Sequence, residues 1–372
     1  MKTIRRLVYG EVFAAVAFVL LAFLSLFFFF DFVDELPSLG RASALDPSLV
    51  YGLPHALLYV GLLVPGRIYE LMPIAVLIGS VFVLARMAQH SEYTILRTSG
   101  LGPWKALRTL LGLGVIFVLI TFAFGDYLAP LADKSAQLLK ARYRGNISVG
   151  QTGAWLKERQ DYANFSVNVG AMTPQGELSN VRLFEFNNQG FLVSTLHARS
   201  GQIEADDSWT LRDVQRREFD TAGQASARIA RSELETFRWP TSLNAEMVSV
   251  ALLKPESMRT TDLFAYIRHL EANNQTAQRY QIEFWRKVFY PLSCLVMVVL
   301  ALPFAYLHFR SGSITGYVFG GVMIGISFFL LNNVFGYIGN LNQWQPWLAA
   351  ASPALIYSLV SLGAFGWLVL KR

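Results

Sequence analysis

The chain has 372 residues, 53% of them hydrophobic, with 28 Phe but only 16% charged residues, and a mean hydropathy of +0.37. Soluble domains usually carry about 25% charged residues, and here the apolar residues fall in long blocks, which marks an integral membrane protein rather than a string of soluble domains. The net charge of +6 would suit nucleic acid or anionic lipid, but its distribution reads as membrane topology, so no nucleic-acid partner is expected. The single Cys294 lies in an apolar run and excludes a disulfide framework or a Cys-based zinc site within one chain.

Val12 to Phe30 is an uncharged run of 19 residues behind Lys2, Arg5 and Arg6. It is longer than a signal-peptide core and ends in four Phe and Asp31 rather than a cleavage site, so it reads as a retained first span with its N-terminus inside. Pro47 to Gly66 is also uncharged, but Pro47, Pro54, Pro65 and two internal glycines suit an interfacial segment. The second span is therefore placed at Tyr69–Ala85, kinked at Pro73. Thr109 to Gly125 is the third, continuing as an exposed helix through Asp126–Arg144 that breaks near Pro130.

Between these spans lies a polar connection, Ala88 to Gly100, flanked by Arg86, Lys105 and Arg108. Ser91 can cap a short helix there, Glu92 favours its first turn and Gly100 can stop it. Tyr93, Ile95 and Leu96 give it an apolar edge, with Glu92 available to pair with a basic residue on a partner.

From about Asn146 to Glu256 the composition changes. Phe165–Val169 and Leu183–Phe186 alternate, Phe191–Leu196 is a dense β-prone run, and turn signals at Thr173–Gly176, Asn187–Gly190, Ala205–Ser208 and Thr221–Gly223 separate them. Short strands at that spacing predict an antiparallel sandwich of jelly-roll type, outside the cytoplasm by topology. Thr261 to Gln275 then reads as an amphipathic linker helix with Leu263, Phe264, Tyr266, Ile267 and Leu270 near one face and Thr260 or Thr261 as cap. Val288–Leu307 is the fourth span, marked at its inner end by His308 and Arg310. The 60 residues between Arg310 and Lys371 contain no Lys, Arg, Asp or Glu. They hold a fifth span at Ser313–Leu331 and a sixth at Leu348–Leu370, joined by a polar loop of Asn332, Asn333, Asn340, Asn342, Gln343, Gln345 and Pro346.

The expected fold is an α-helical membrane protein of six transmembrane helices, three plus three, around an inserted antiparallel β-jellyroll. Its divisions are a first transmembrane half at 1–145, the β domain at 146–256, and a linker helix with the second half at 257–372. Lys2, Arg5, Arg6, Arg86, Arg97, Lys105, Arg108, Arg310, Lys371 and Arg372 then all lie inside, opposed mainly by Glu92, with both termini cytoplasmic.

Catalytic machinery does not emerge. There is no G-x-x-x-x-G-K-[ST] phosphate loop, no H-E-x-x-H and no G-x-S-x-G. His55, His90, His197, His269 and His308 fall in separate segments without ligand-like spacing, so no metal is expected. Ionisable residues inside the spans, which would mark an ion pathway, are almost absent, with Glu11 and Asp126 at span ends. The chain therefore reads as non-enzymatic and in need of an external energy source. That need assigns the Ser91–Gly100 connection to coupling, on Ser91, Glu92, Tyr93, Ile95, Leu96 and Arg97, where a connector that only lies against the membrane would otherwise be the simpler reading. A second constellation, Arg41, Arg67, Lys134, Lys140, Arg142 and Arg144, rims the outer ends of the first three spans. It could hold the phosphates of an anionic lipid, or be a solvated face paired with Asp126 and Asp133.

The order of these features resembles the LptF/LptG permeases of lipopolysaccharide export, and the similarity covers essentially the whole chain. It is carried by S-E-x-x-x-L-R-x-S-G at Ser91–Gly100, by Phe32-Val33-Asp34-Glu35-Leu36 after the first span, and by Arg279-Tyr280-Gln281 with Trp285, Lys287 and Pro291 entering the fourth. The last two are closer to the LptG branch. The resemblance implies an LptF-like paralogue as partner, an LptB-like ATPase dimer that binds ATP and Mg so that this chain needs no cofactor, and an LptC-like bridge reached through periplasmic jelly rolls. It also implies lipopolysaccharide as cargo in the inner membrane of a Gram-negative bacterium. Lateral gates would form from the first and fifth helices, here Phe27, Phe30, Val33, Phe328 and Leu331. One departure concerns the cations: family lysines around the Phe32–Leu36 motif are replaced by Asp31, Pro37 and Ser38, with only Arg41 following. Lys140 matches a basic family position, and Arg67 lies within one position of another.

Two other classes remain at this level. A lipoprotein-release or MacB-like permease would place its external domain after the first helix, whereas here it follows the third. A membrane scaffold that only binds periplasmic partners would show no nucleotide-dependent change in its helices. An intramembrane hydrolase lacks a nucleophile–base pair.

Overall fold

The computed structural model describes residues 2–42, 50–100, 102–144, 153–173, 176–204, 206–220, 228–245, 247–248, 255–306 and 314–370. The chain divides into two compact units. The first comprises Met1–Asp34, Val60–Ala132 and Gln278–Arg372, and the second Glu35–Tyr59 and Asp133–Ala277.

The first unit holds most of α1 (Lys2–Glu35) and α2 (Leu53–Gln89), with α3 (Glu92–Thr98) and α4 (Pro103–Ala123); α5 (Ala129–Arg144) follows in sequence and belongs to the second unit from Asp133 on. They are followed after the inserted sheet by α7 (Gln278–Ala301), α8 (Ile314–Leu341) and α9 (Pro346–Ala364). Among the described residues six helices are long and apolar enough to cross a membrane.

Several span boundaries differ from the sequence expectation, each for a backbone reason. The stretch assigned to an interfacial segment is the first part of α2, a continuous helix of 37 residues that carries Pro65 and Pro73 inside it. Pro54 sits in its first turn, where a missing N–H is harmless, and in an apolar environment breaking the helix would strand more backbone groups than the prolines do. Pro47 lies outside the described residues. α8 continues ten residues beyond Leu331, absorbing Asn332, Asn333 and Asn340 from the expected polar loop. It can do so because Asn332 Nδ2 donates to the Phe328 carbonyl one turn back and Asn333 Oδ1 accepts from Arg286. α1 meets α2 at Gly79, where a Cβ would come within 2.8 Å of the Val16 backbone nitrogen. Only glycine permits that approach.

In the second unit β1 (Ala154–Arg159), β2 (Asn164–Met172), β3 (Glu177–Phe186), β4 (Leu192–Ile203), β5 (Ser208–Asp220) and β6 (Arg228–Pro240) form one antiparallel sheet in chain order. Of the expected limits and turns of the β domain, Asn146 and Thr221–Gly223 lie outside the described residues, while Glu256 falls in a short 3-10 turn, Pro255–Ser257. One sheet face is apolar, with Leu156, Val167, Val181, Leu183, Leu196, Leu211 and Trp209 fully buried. Asn187 builds the β3–β4 turn, its Oδ1 accepting from the Gln189 and Phe191 N–H groups.

Helix α6 (Thr260–Ala272) belongs to this second unit. Arg259 stands at its N-cap without a side-chain cap bond, so neither Thr260 nor Thr261 caps it. Leu263, Tyr266, Ile267 and Leu270 are buried as the pattern predicts, but Phe264 is exposed beneath Arg268. The α6 end is tied to β1 by Asn273 Oδ1, which accepts from the Arg159 N–H.

On the same helix His269 is half-buried against Tyr266, and its Nε2 has no hydrogen-bond partner among the described residues. Burial lowers the His269 pKa below its usual value, and the carboxylate of Glu158 on β1 pulls the other way. The folded state therefore prefers neutral His269, while an unfolded histidine protonates near pH 6.5. Stability is lost as pH falls from about 6.5 toward the lowered folded pKa. Between pH 7.5 and 5.5 the melting temperature should drop by on the order of 1–2 °C more in the native protein than in His269→Gln, once solvent screening is allowed for. Equal pH dependence in the two proteins would refute the assignment.

Candidate functional site

The two-residue turn His90-Ser91 separates α2 from α3. Ser91 occupies the cap position of α3 with φ 61°, in the left-handed region, and its hydroxyl makes no cap bond; its carbonyl instead accepts from the Ile95 N–H. This corrects the expected side-chain cap, because the tight reversal puts the Ser91 side chain out of reach of the first-turn N–H groups. Gly100, at φ 99°, ends the segment as its residue type predicts.

The predicted coupling residues divide into two sets. Tyr93 is buried (5% exposed), and Leu96 is half-buried against the same core. The Tyr93 ring meets Tyr306 edge-on with centroids 5.2 Å apart, and the Arg97 guanidinium lies 5.5 Å over the Tyr306 ring. Burial pushes the Tyr93 phenol well above its usual pKa range. Glu92 and Ile95 face outward, Ile95 at 63% exposure, and Trp104 at the start of α4 is 65% exposed. α3 is thus an anchored platform with an acidic and apolar outer face, not a loose connector.

The basic rim is differently placed from what its charge suggests. Arg67 on α2 makes a two-pronged contact with Asp31 on α1, Nε to Oδ2 at 3.1 Å and NH2 to Oδ1 at 2.8 Å. It also pairs with Glu70 at 3.2 Å and lies 5.0 Å over the Phe27 ring. In the second unit Lys140 on α5 pairs with Glu35 at 2.8 Å and sits 4.2 Å over the Tyr59 ring. Around that pair Tyr51, His55 and Tyr143 stack on one another. Burial and the neighbouring Glu35 carboxylate raise the Tyr51 phenol well above its usual pKa range. Asp31 and Glu35 therefore occupy the two best candidate cations. Arg41 and Lys134 are exposed; the side chains of Arg142 and Arg144 lie outside the described residues.

Between α4 and α5 the helix widens into a π turn, Phe124–Leu128. The expected break near Pro130 is this wide turn placed just ahead of it. The Ala129 N–H bonds the Phe124 carbonyl five residues back, and Pro130, next in line, has no N–H. The Gly125 carbonyl is left to a side chain: Lys287 on α7, itself buried, donates to it at 2.9 Å. Gly125 is required there, since a Cβ would lie 2.4 Å from the Tyr69 ring. Tyr290, one turn beyond Lys287, donates to the Glu70 carbonyl, and Arg286 donates to Asn333 at 2.7 Å. The helical unit thus holds a polar network that the hydropathy pattern concealed. Its one sequence signal is that Arg286 and Lys287 stand directly before the apolar run of α7, whose partners carry Gly-Asp and Ala-Pro.

Of the expected gate residues, Phe30 and Val33 are exposed, Phe27 lies under Arg67, Leu331 is half-buried, and Phe328 is fully buried between Tyr290 and Tyr357. Phe328 therefore packs in the helical core rather than on an open face. The outward face of α8 is instead Phe319, Met323, Ile326, Leu330 and Val334. An apolar cavity of about 410 Å³ opens between α1, α2 and α8, lined by Ala15, Phe18, Val19, Ile78, Phe82, Thr315 and Val318.

Six apolar helices interrupted after the third by an antiparallel sheet define a multi-pass membrane protein with an inserted β domain. A family model described as "Lipopolysaccharide export system permease LptF/LptG" matches residues 6–370, and the chain belongs to that family. Among curated proteins it is 27% identical over 364 residues to the lipopolysaccharide export system permease protein LptG of Escherichia coli strain K12, covering 97% of this chain and 96% of that one. It is 26% identical over 379 residues to LptG of Haemophilus influenzae, covering 100% and 99% respectively.

Proposed function

We propose that this chain is the LptG-type permease subunit of an ATP-driven exporter that lifts lipopolysaccharide from the inner membrane toward a periplasmic bridge. The observation that carries the reading is the family match over residues 6–370, joined to the three-plus-three helices around a sheet. Both termini and α3 lie on the cytoplasmic side, where Lys and Arg concentrate, and the sheet lies in the periplasm. An LptF-like paralogue completes the lipid cavity, with α1 and α8 forming this chain's half of the gates. An LptB-like ATPase dimer holds ATP and Mg and grips the outer face of α3, and an LptC-like protein receives the lipid from the sheet.

Affinity purification of the tagged chain in mild detergent tests the assembly: an ATPase, a second six-helix permease and lipid A species should co-purify. Recovery of the chain alone, reproducibly, would reject the reading. Within the complex, Glu92→Lys and Ile95→Asp alter exposed side chains, so both variants should insert and melt as the native chain does. Each should weaken ATPase retention by at least about tenfold, the effect of losing about 1.4 kcal/mol of contact. Leu96→Asp is a poorer probe, because Leu96 also packs inward.

A further inference from the structure

We infer that α7 is the lever of the transport cycle and that Tyr306 is the positioning residue through which movement enters it, an inference that rests on α3 being the coupling element. Tyr306 ends a short 3-10 turn, Leu302–Tyr306, that prolongs α7 directly. It is engaged from α3 by Tyr93 and, one turn on, by Arg97. Two contacts spaced four residues apart on a single ring resist both sliding and rotation of α3, so neither motion leaves Tyr306 in place. The ring pair is buried, and close-packed interiors transmit displacement instead of absorbing it.

Near its middle, α7 grips three other elements. Arg286 holds Asn333 on α8, Lys287 holds the Gly125 carbonyl in the π turn that follows α4, and Tyr290 holds the Glu70 carbonyl on α2. From Arg286 to Tyr306 is about 30 Å at roughly 1.5 Å per residue. One helix therefore joins the coupling contact to the polar network that positions α2, α4 and α8. Glu70 also pairs with Arg67, which holds Asp31 of α1. A push delivered at Tyr306 arrives where the two gate helices of this chain are fastened.

The experiment uses the full chain with its ATPase and second permease in proteoliposomes, and measures lipopolysaccharide released per ATP hydrolysed. Tyr306→Ala should lower that ratio by at least about fivefold while the ATPase still co-purifies and hydrolyses ATP, and Tyr306→Phe, which keeps the ring, should restore it. A role in packing alone would change yield or melting temperature but leave the ratio untouched, so a native ratio in Tyr306→Ala overturns the proposal. A second measurement needs no variant: hydrogen exchange of the unmodified complex with and without an ATP analogue. Protection should change together at Leu302–Tyr306 and at Arg286–Tyr290, and a change confined to α3 overturns the proposal. Failure of the unmodified chain to retain any ATPase would remove the coupling reading as well, whereas a native ratio in Tyr306→Ala with ATPase bound removes the lever alone.

Discussion

Lys140→Ala is expected to destabilise the second unit by about 3 kcal/mol, because it strands a buried carboxylate. Glu35 is only 5% exposed, against 25% for Lys140. The two halves of the pair are therefore unequal. A lysine released by Glu35→Gln can bend its stem toward water, and that change should cost only about 1 kcal/mol. Replacing both by apolar residues, Glu35→Leu with Lys140→Met, should recover most of the loss, since neither charge is then left buried. Melting temperatures of the purified variants should rank Lys140→Ala lowest, the double variant above it and Glu35→Gln close to native. A double variant no better than Lys140→Ala would mean that Glu35 is not the group being stranded. Lipid binding should separate the same variants in sign. Under the proposed function a lipid phosphate competes with Glu35 for Lys140, so Glu35→Gln should tighten lipopolysaccharide binding severalfold while Lys140→Ala weakens it. Movement of both in the same direction would remove Lys140 from the candidate lipid contacts.

The second large effect is expected at the π turn. Lys287→Met leaves the Gly125 carbonyl without a donor in an apolar interior, which should cost about 1–3 kcal/mol. The reason lies two residues beyond the turn, in a proline without an N–H. Pro130→Ala gives the backbone a donor there, so the turn no longer depends on the lysine. A double-mutant cycle should then show Lys287→Met costing less in the Pro130→Ala background than alone, by about 1 kcal/mol of coupling. Additive effects of the two substitutions would show that Lys287 serves some other group. Gly125→Ala should be destabilising in either background, because the added methyl meets the Tyr69 ring whatever donor serves the carbonyl.

Much of the architecture was legible in the chain itself. Long uncharged runs set six spans, because hydrocarbon admits only helices whose backbone bonds are satisfied internally. Period-2 alternation and Asn/Gly turns set the strands. The proposed coupling segment was visible because it is polar between two apolar blocks. Span ends were less legible: hydropathy stops at the first polar residue, whereas Asn332 and Asn333 stay helical by bonding the preceding turn and a neighbouring helix. The prolines of α2 misled for a related reason, since a proline weighs against a helix in water more than in an apolar surrounding.

What the sequence by itself determined was the family, the number of spans, the site of insertion of the sheet and the absence of a recognisable nucleotide motif. These follow from local composition and pattern, which each segment carries alone. Only the tertiary structure decided which charges are spent on one another. Asp31 meets Arg67 across 36 residues and Glu35 meets Lys140 across 105, separations at which no periodicity informs. The same holds for Tyr306, which acquires its place against Tyr93 only when α7 folds back beside α3. Whether a cation is free for a lipid, or an aromatic ring lies at a joint, depends on the side chain opposite, and that neighbour is chosen by packing.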